Sequence, residues 1–315
     1  MIDIAYLENI KLRSIPRTQQ LIALFLLTPN YHLFSKVVIE IEGREKIPRD
    51  DNVIFAMNHT DRYNYWPFQY KLWKEKTFPF TTVWVKGQYY RNPVLAKIFN
   101  LCGLIPVPSI KYLVQEMFLK KFGRRIREEE YRVLKDAIDG KTNENNVHCI
   151  ESPELDTLFR EDFVAFITSY YETIMERVAQ LSEDALFEKN LNIIIFPEGT
   201  RSTRLAVGRT GLAQLALHTG KTIIPVGCNN SERVYPGNLP FARSGTIVYR
   251  VGEPLSIDGK LKPYRITEDF KLFSAESKAR YNENFEGVTR LVMESIHTLL
   301  DERYKKSVPP GEPVA

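Results

Sequence analysis

Two apolar runs, each stopped by a polar block, constrain this chain more than any other feature. Val53-Ile54-Phe55-Ala56 runs into Met57-Asn58-His59-Thr60-Asp61-Arg62-Tyr63-Asn64. Leu191 to Ile195 runs into Phe196-Pro197-Glu198-Gly199-Thr200-Arg201-Ser202. Short apolar runs bounded by turn residues read as buried strands. In α/β folds, sites gather where such strands end and loops begin. The second block offers a glycine amide, two hydroxyls, one guanidinium and one carboxylate. Arg201 beside Gly199 and Thr200 suits a phosphate or an oxyanion. The first block brings an imidazole, His59, which titrates near neutral pH.

Length and composition allow one large α/β domain, or one domain with an appendage, in 315 residues. Apolar residues at 43% and charged residues at 26% describe a globular chain. The net charge of +4 suits an ordinary surface, anionic lipid headgroups or acyl-CoA phosphates, and gives no argument for nucleic acid. Cys102, Cys149 and Cys228 are scattered, without CxxC spacing. They imply neither a disulfide framework nor a zinc site, and a reducing cytoplasm is expected. His32, His59, His148, His218 and His297 show no metal-ligand spacing, so no metal is expected. No segment reaches the roughly 18 to 20 apolar residues that span a bilayer. Leu21 to Leu27, closed by Thr28-Pro29, reads as a short helix, either core or interfacial. With Phe25, Tyr31 and Phe34 nearby it can enter a membrane surface.

Periodicity and turn signals give an α/β class with a mixed central sheet flanked by helices and carrying a helical insertion. Residues 1–34 are a helical lead-in, open to membrane contact; 35–305 form the main domain, with the insertion over about 109–190; 306–315 are a disordered tail. Strands are expected at 36–42, 53–56, 81–86, 103–107, 222–227 and 246–251, and helices at 63–74, 93–100, 208–218 and 274–304. Within the insertion, helices are expected at 110–121, 128–138 and 159–181, with 140–149 an exposed loop. The charged run Arg124 to Glu130 reads as solvated helix faces with i to i+4 ion pairs, or else as a lid or docking surface for an acyl carrier. Tyr63, Tyr65, Trp66, Phe68 and Trp73 form an aromatic cluster that is either core or the wall of an acyl channel.

The two polar blocks together resemble the glycerolipid acyltransferase family of lysophosphatidate and glycerol-3-phosphate acyltransferases. That family carries Asn-His, four residues, then Asp, and later Phe-Pro-Glu-Gly-Thr-Arg-Ser. The second motif matches at all seven positions of 196–202. The first matches at Asn58 and His59, with Asn64 where the family has aspartate. Lys86, Pro93, Gly103 and Ile105 fill places in the family's middle block, but Pro106-Val107-Pro108 stands where its strand often ends in arginine. Arg209 and Gly211 stand for its Lys-x-Gly, and Ile224-Pro225-Val226 and Gly252-Glu253-Pro254-Leu255 resemble its later blocks. The likeness covers roughly 36–108 and 190–256.

The resemblance implies transfer of a fatty acyl chain from acyl-CoA or acyl carrier protein to the hydroxyl of a lysophosphatidate, or of glycerol-3-phosphate. It implies no bound cofactor, and peripheral attachment to the inner face of the cytoplasmic membrane. His59 becomes the general base and acts without a covalent acyl-enzyme; no G-x-S-x-G elbow is present. Arg201 is expected on the acceptor phosphate, with Lys86 and Arg209 as weaker partners. Glu198 bonds acceptor hydroxyls or braces Arg201, and the Gly199 and Thr200 amides serve phosphate or oxyanion. Asn64 can orient the imidazole but supplies no charge, and the comparable exchange in a serine-protease triad lowers kcat about 10⁴-fold. Three arrangements follow: Asn64 suffices, Asp61 takes its place, or the chain is a catalytically impaired lipid or acyl-carrier binding protein.

Overall fold

The computed structural model describes residues 2–141 and 151–305. Most of the expected 140–149 loop and the 306–315 tail lie outside the described residues. The chain divides into two compact units. One comprises Met1–Ile10, Val85–Lys97 and Pro106–Val178; the other comprises Lys11–Trp84, Ile98–Ile105 and Ala179–Ala315.

Seven strands make one mixed sheet: β1 (Val37–Glu42), β2 (Ile54–Met57), β3 (Thr81–Lys86), β4 (Ile105–Val107), β5 (Asn192–Ile195), β6 (Ile223–Asn229) and β7 (Gly245–Val251), in the order β1-β7-β6-β2-β5-β3-β4. β2 and β5 are central, parallel and buried at every position. Buried on both faces, such strands lose the in-out alternation and become continuous apolar runs. That is why both stand out in the sequence. β1, at an edge, alternates buried or half-buried with exposed residues. β7 runs antiparallel to β6 and parallel to β1, which makes the sheet mixed. Polar side chains close the seams between these elements. Asn192 accepts from the Val53 amide at 2.8 Å and donates to the Pro79 carbonyl at 2.9 Å, leaving both ends of its buried amide satisfied.

The helix Trp66–Glu75 follows β2, and its Phe68 packs edge-on against Phe55 of that strand. The helix Ala275–Thr298 buries Phe285, Val288, Val292 and Ile296, spaced by three or four residues as one apolar face requires. It ends well before 304: Leu299 caps it, and a separate turn, Glu302–Tyr304, follows. Gly227 of β6 permits the close approach of that helix end, since a Cβ there would lie 2.6 Å from the Leu299 Cβ and 2.7 Å from its carbonyl oxygen.

The unit containing most of the insertion is helical: Ile110–Phe122, Glu128–Ile138, Pro153–Arg160 and Phe163–Glu183, the last running past the unit's end at Val178. The single helix expected over 159–181 is two, broken at Asp162, where φ is +53°. The charged run 124–130 is solvated only in part: Arg125, Arg127, Glu128 and Glu129 are exposed, whereas Glu130 is not. Glu130 is wholly buried and accepts from Arg124 at 2.6 and 2.9 Å, from Arg127 at 2.9 Å and from the Ser152 hydroxyl at 2.8 Å. The Arg124 guanidinium, with help from Arg127, holds the Glu130 carboxyl well below the usual carboxylate range despite its burial. Arg124 also reaches Glu154 at 3.0 Å, so the run ties the start of one helix to the start of another.

Gly227→Ala should lower stability by about 1–3 kcal/mol through overpacking against Leu299. The urea midpoint should fall with an unchanged slope.

Candidate active site

The register of the central strands builds the site. β2 and β5 pair Ala56 with Ile195, so the chain leaves both strands at the same level and in the same direction. Asn58-His59 and Phe196-Pro197-Glu198 therefore emerge side by side. The Asn58 side chain then fixes the loop to the other neighbour of β2. It donates to the Cys228 carbonyl at 3.0 Å and accepts from the Cys228 amide at 2.6 Å. His59 lies half-buried, stacked on Phe196 with ring centroids 4.0 Å apart. The second block holds the backbone around it. The His59 amide donates to Glu198 Oε1 at 2.8 Å, and the His59 carbonyl accepts from the Ser202 amide at 2.8 Å.

Nδ1 of His59 lies 3.2 Å from Asn64 Oδ1. Asn64 Nδ2 donates to the Asn58 carbonyl at 2.7 Å. A carbonyl can only accept, so the amide NH₂ must face Asn58 and the amide oxygen must face the ring. An oxygen there requires the proton on Nδ1 and leaves the lone pair on Nε2. The neutral amide thus selects the tautomer that a general base needs. The Tyr249 hydroxyl donates to the Asn64 carbonyl at 2.6 Å and holds the residue from below.

Asp61 is placed otherwise. It is buried, and its carboxylate accepts from the Tyr63 amide at 2.8 Å and the Thr60 hydroxyl at 3.1 Å. Burial raises its pKa, partly offset by these bonds. It shapes the loop, whereas Asn64 meets the ring. Glu198, 2% exposed, spends both oxygens on backbone: the second accepts from the Ala206 amide at 2.8 Å. It clasps the His59 loop to the segment after Arg201, a role different from either one expected of it. Burial pushes its pKa up to about 7 against the pull of the two amides.

Thr200, Arg201 and Arg209 are exposed. Gly199 adopts φ +61°, and a Cβ on it would meet Arg209 Cδ and Nε at 3.0 Å, so the Arg209 side chain lies over the glycine. One further residue, not singled out from sequence, joins this group. Arg62 hydrogen-bonds Tyr63, and the charges of Arg62 and Arg201 both act to lower the Tyr63 phenol pKa, which burial raises. Arg62 thus meets the Tyr63 side chain directly, and the Arg201 charge acts on the same phenol from a different loop. A basic residue three places after His59, in a block already marked by chemistry, was the available signal. Lys86, exposed at the end of β3, falls in the other unit.

Beside Asn64 the aromatic cluster divides in two. Phe68 is core, but Tyr65, Trp66 and Trp73 line an apolar pocket of about 790 Å³, part of it open to solvent. Ile22, Ala23 and Leu27 of the lead-in complete one wall, and Phe78, Phe99 and Leu104 another. Tyr65 also sits edge-on to Phe196, 6.2 Å between centroids, on whose ring His59 stacks.

Comparison with known proteins finds likeness to acyltransferases. An acyltransferase family model matches residues 153–229, which include the whole 196–202 block. The 1-acyl-sn-glycerol-3-phosphate acyltransferase of Haemophilus influenzae is 30% identical over 97 residues, 30% of this chain and 38% of that protein. The crystal structure of the 1-acyl-sn-glycerophosphate acyltransferase PlsC from Thermotoga maritima aligns over 88% of this chain and 78% of that one, with 17% identity and a TM-score of 0.41. The chain resembles acyltransferases over part of its length, residues 153–229, and spans 38% of the length of the Haemophilus protein.

Because the folded pKa of Glu198 lies above the unfolded value of 4.5, its contribution to stability is complete below pH 4.5 and is lost as pH rises through about 7. The difference corresponds to about 3 kcal/mol. Glu198→Gln removes this titration and leaves one backbone amide without an acceptor. The variant should be less stable at acid pH, and the gap to wild type should narrow between pH 5 and 8 in urea unfolding.

Proposed function

We propose that the protein transfers a fatty acyl chain from a thioester, acyl-CoA or acyl carrier protein, to the hydroxyl of a lysophosphatidate-type acceptor. The observation that carries this reading is the His59–Asn64–Asn58 chain of hydrogen bonds, which presents the Nε2 lone pair of His59 beside an arginine-bearing loop. In the reaction, Nε2 takes the proton of the acceptor hydroxyl as its oxygen attacks the thioester carbonyl. The tetrahedral intermediate expels the thiolate, which recovers the proton from the imidazolium. An ester replaces the thioester, and a free thiol leaves.

Asn64 cannot stabilise the imidazolium with a charge, but it does not impose the wrong tautomer either. The large loss seen in triads comes from that tautomer. A carboxylate at position 64 would instead set an oxygen about 2.7 Å from the Asn58 carbonyl, where Nδ2 now stands. Two acceptors at that distance repel. Asparagine therefore fits this loop as aspartate would not. Arg201 and Arg62 suit the acceptor phosphate, with Arg209 alongside, and the pocket lined by Tyr65, Trp66 and Trp73 suits an acyl chain. Burying each methylene there is worth about 0.8 kcal/mol. Attachment to the inner face of the cytoplasmic membrane belongs to the same reading, since acceptor and product are lipids.

Release of free thiol from palmitoyl-CoA should depend on added lysophosphatidate and fall about 10²–10⁴-fold in His59→Ala. Asn64→Asp should lose about 1–3 kcal/mol of stability without a gain in kcat. A silent wild type together with an active Asn64→Asp would mean a binding protein whose site lost its charge. Arg62→Ala should raise KM for lysophosphatidate about tenfold or more, the loss of one charge-assisted contact. It should leave KM for the phosphate-free monoacylglycerol unchanged.

A further inference from the structure

Four large apolar side chains stand out of the sheet-bearing unit at two places that the structure joins. Leu33 and Phe34 are 75% and 77% exposed, and Leu239 and Phe241 are 69% and 61% exposed. Asn30, itself buried, bonds the two segments together: its side chain donates to the Pro240 carbonyl at 3.1 Å and accepts from the Ala242 amide at 3.1 Å. Ser35 adds a bond to the Ala242 carbonyl at 2.6 Å. The turn 30–34 and the loop 236–243 are thus held as one rigid face. Water-exposed leucine and phenylalanine at this density mark a contact surface.

The two segments lie in stretches of sequence without acidic residues. No Asp or Glu occurs between Glu8 and Glu40, nor between Glu232 and Glu253. Next to the apolar side chains in sequence stand the exposed cations Lys36, Arg233 and Arg243. Among the described residues none of the three takes part in an ion pair. With a net charge of only +4 over the whole chain, this is a concentration of charge and not a general excess. Leu21, Leu24 and Phe25, exposed at helical i, i+3 and i+4 positions, lie in the first of these acid-free stretches.

We propose that the turn 30–34 and the loop 236–243 together form a docking face for an anionic phospholipid bilayer, the four apolar side chains entering the interface and Lys36, Arg233 and Arg243 meeting headgroups. A second copy of the chain fits the face poorly, because a two-fold contact would set these cations against themselves. Apolar insertion combined with basic residues is the requirement of a stable interfacial contact. The face also adjoins the reaction loop: the Tyr63 hydroxyl, four residues after His59, donates to the Asn238 carbonyl at 2.6 Å. A bilayer on this face would lie beside the base and the arginines that meet the acceptor. The inference takes from the proposed function only that the acceptor is a lipid. Its readout needs no turnover, so the two fail separately.

The test is co-sedimentation of the full chain with vesicles of phosphatidylcholine alone or mixed with phosphatidylglycerol. It compares wild type with Leu33→Ser/Phe34→Ser, Leu239→Ser/Phe241→Ser and, as a control in the other unit, Val94→Ser. Circular dichroism and sedimentation velocity on each give the fold and the oligomeric state. Wild type and the control should partition onto the mixed vesicles, less so at high salt and less so onto phosphatidylcholine alone. Each double variant should bind about tenfold more weakly or worse while remaining folded. Wild type left in solution with both vesicle types, or folded double variants that bind like wild type, would overturn the proposal. A wild-type dimer that both double variants abolish, with vesicle binding unchanged, would reassign the face to self-association.

Discussion

The hydrogen bond from the His59 amide to Glu198 is the contact on which the site depends. It joins the loops after two adjacent parallel strands, and the strands' register leaves little freedom in how those loops meet. Once the Glu198 carboxylate bridges the His59 and Ala206 amides, the imidazole, the arginine loop and the segment beyond it move as one piece. A carboxylate raised to about 7 by burial is a costly way to satisfy two backbone donors. The cost is consistent with a loop that must be held still for chemistry, where a looser turn would serve structure equally well.

Asn64 shows how geometry changes the meaning of a substitution. Read as a string, asparagine in the place of aspartate is a lost charge. In the structure its amide bridges a carbonyl and an imidazole, a task in which both ends of the amide are used and which a carboxylate cannot perform. The neutral side chain fixes the orientation of the ring and carries no charge to offer it. Hydrogen bonding to the correct ring nitrogen and charge compensation are separate contributions, and this loop retains the first.

Much of this was legible in the sequence where periodicity and burial coincide. β2 and β5 announce themselves as uniform apolar runs because both faces are covered, and the blocks that end them are where the site lies. The helix Glu128–Ile138 was also readable. What was not readable depended on contacts distant in sequence. Glu130 looks like one of many surface acids, and only the folded chain shows it buried under Arg124, Arg127 and Ser152. Arg62 carries no periodic signal, and its hydrogen bond to Tyr63 follows from the path of the loop. Glu198 was expected to face a substrate or an arginine; it faces two backbone amides, a choice set by the turn that follows. The break at Asp162 also escapes a pattern-based reading, since apolar spacing continues across it.

The helical unit is assembled from three separate stretches of chain, Met1–Ile10, Val85–Lys97 and Pro106–Val178. Its earliest stretch is tied to a much later one: the Ile2 amide donates to the Tyr112 hydroxyl at 3.0 Å. During synthesis, at about 5–20 residues per second, the segment around Ile2 waits roughly 5 to 20 seconds before that hydroxyl has even been made. Strands β1 to β3, which belong wholly or largely to the other unit, are synthesised in the interval. The order of translation therefore differs from the order in which this unit can close, and its apolar N-terminal side chains, Ile2 and Leu7 among them, stay exposed to solvent and to chaperones until the middle of the chain has emerged.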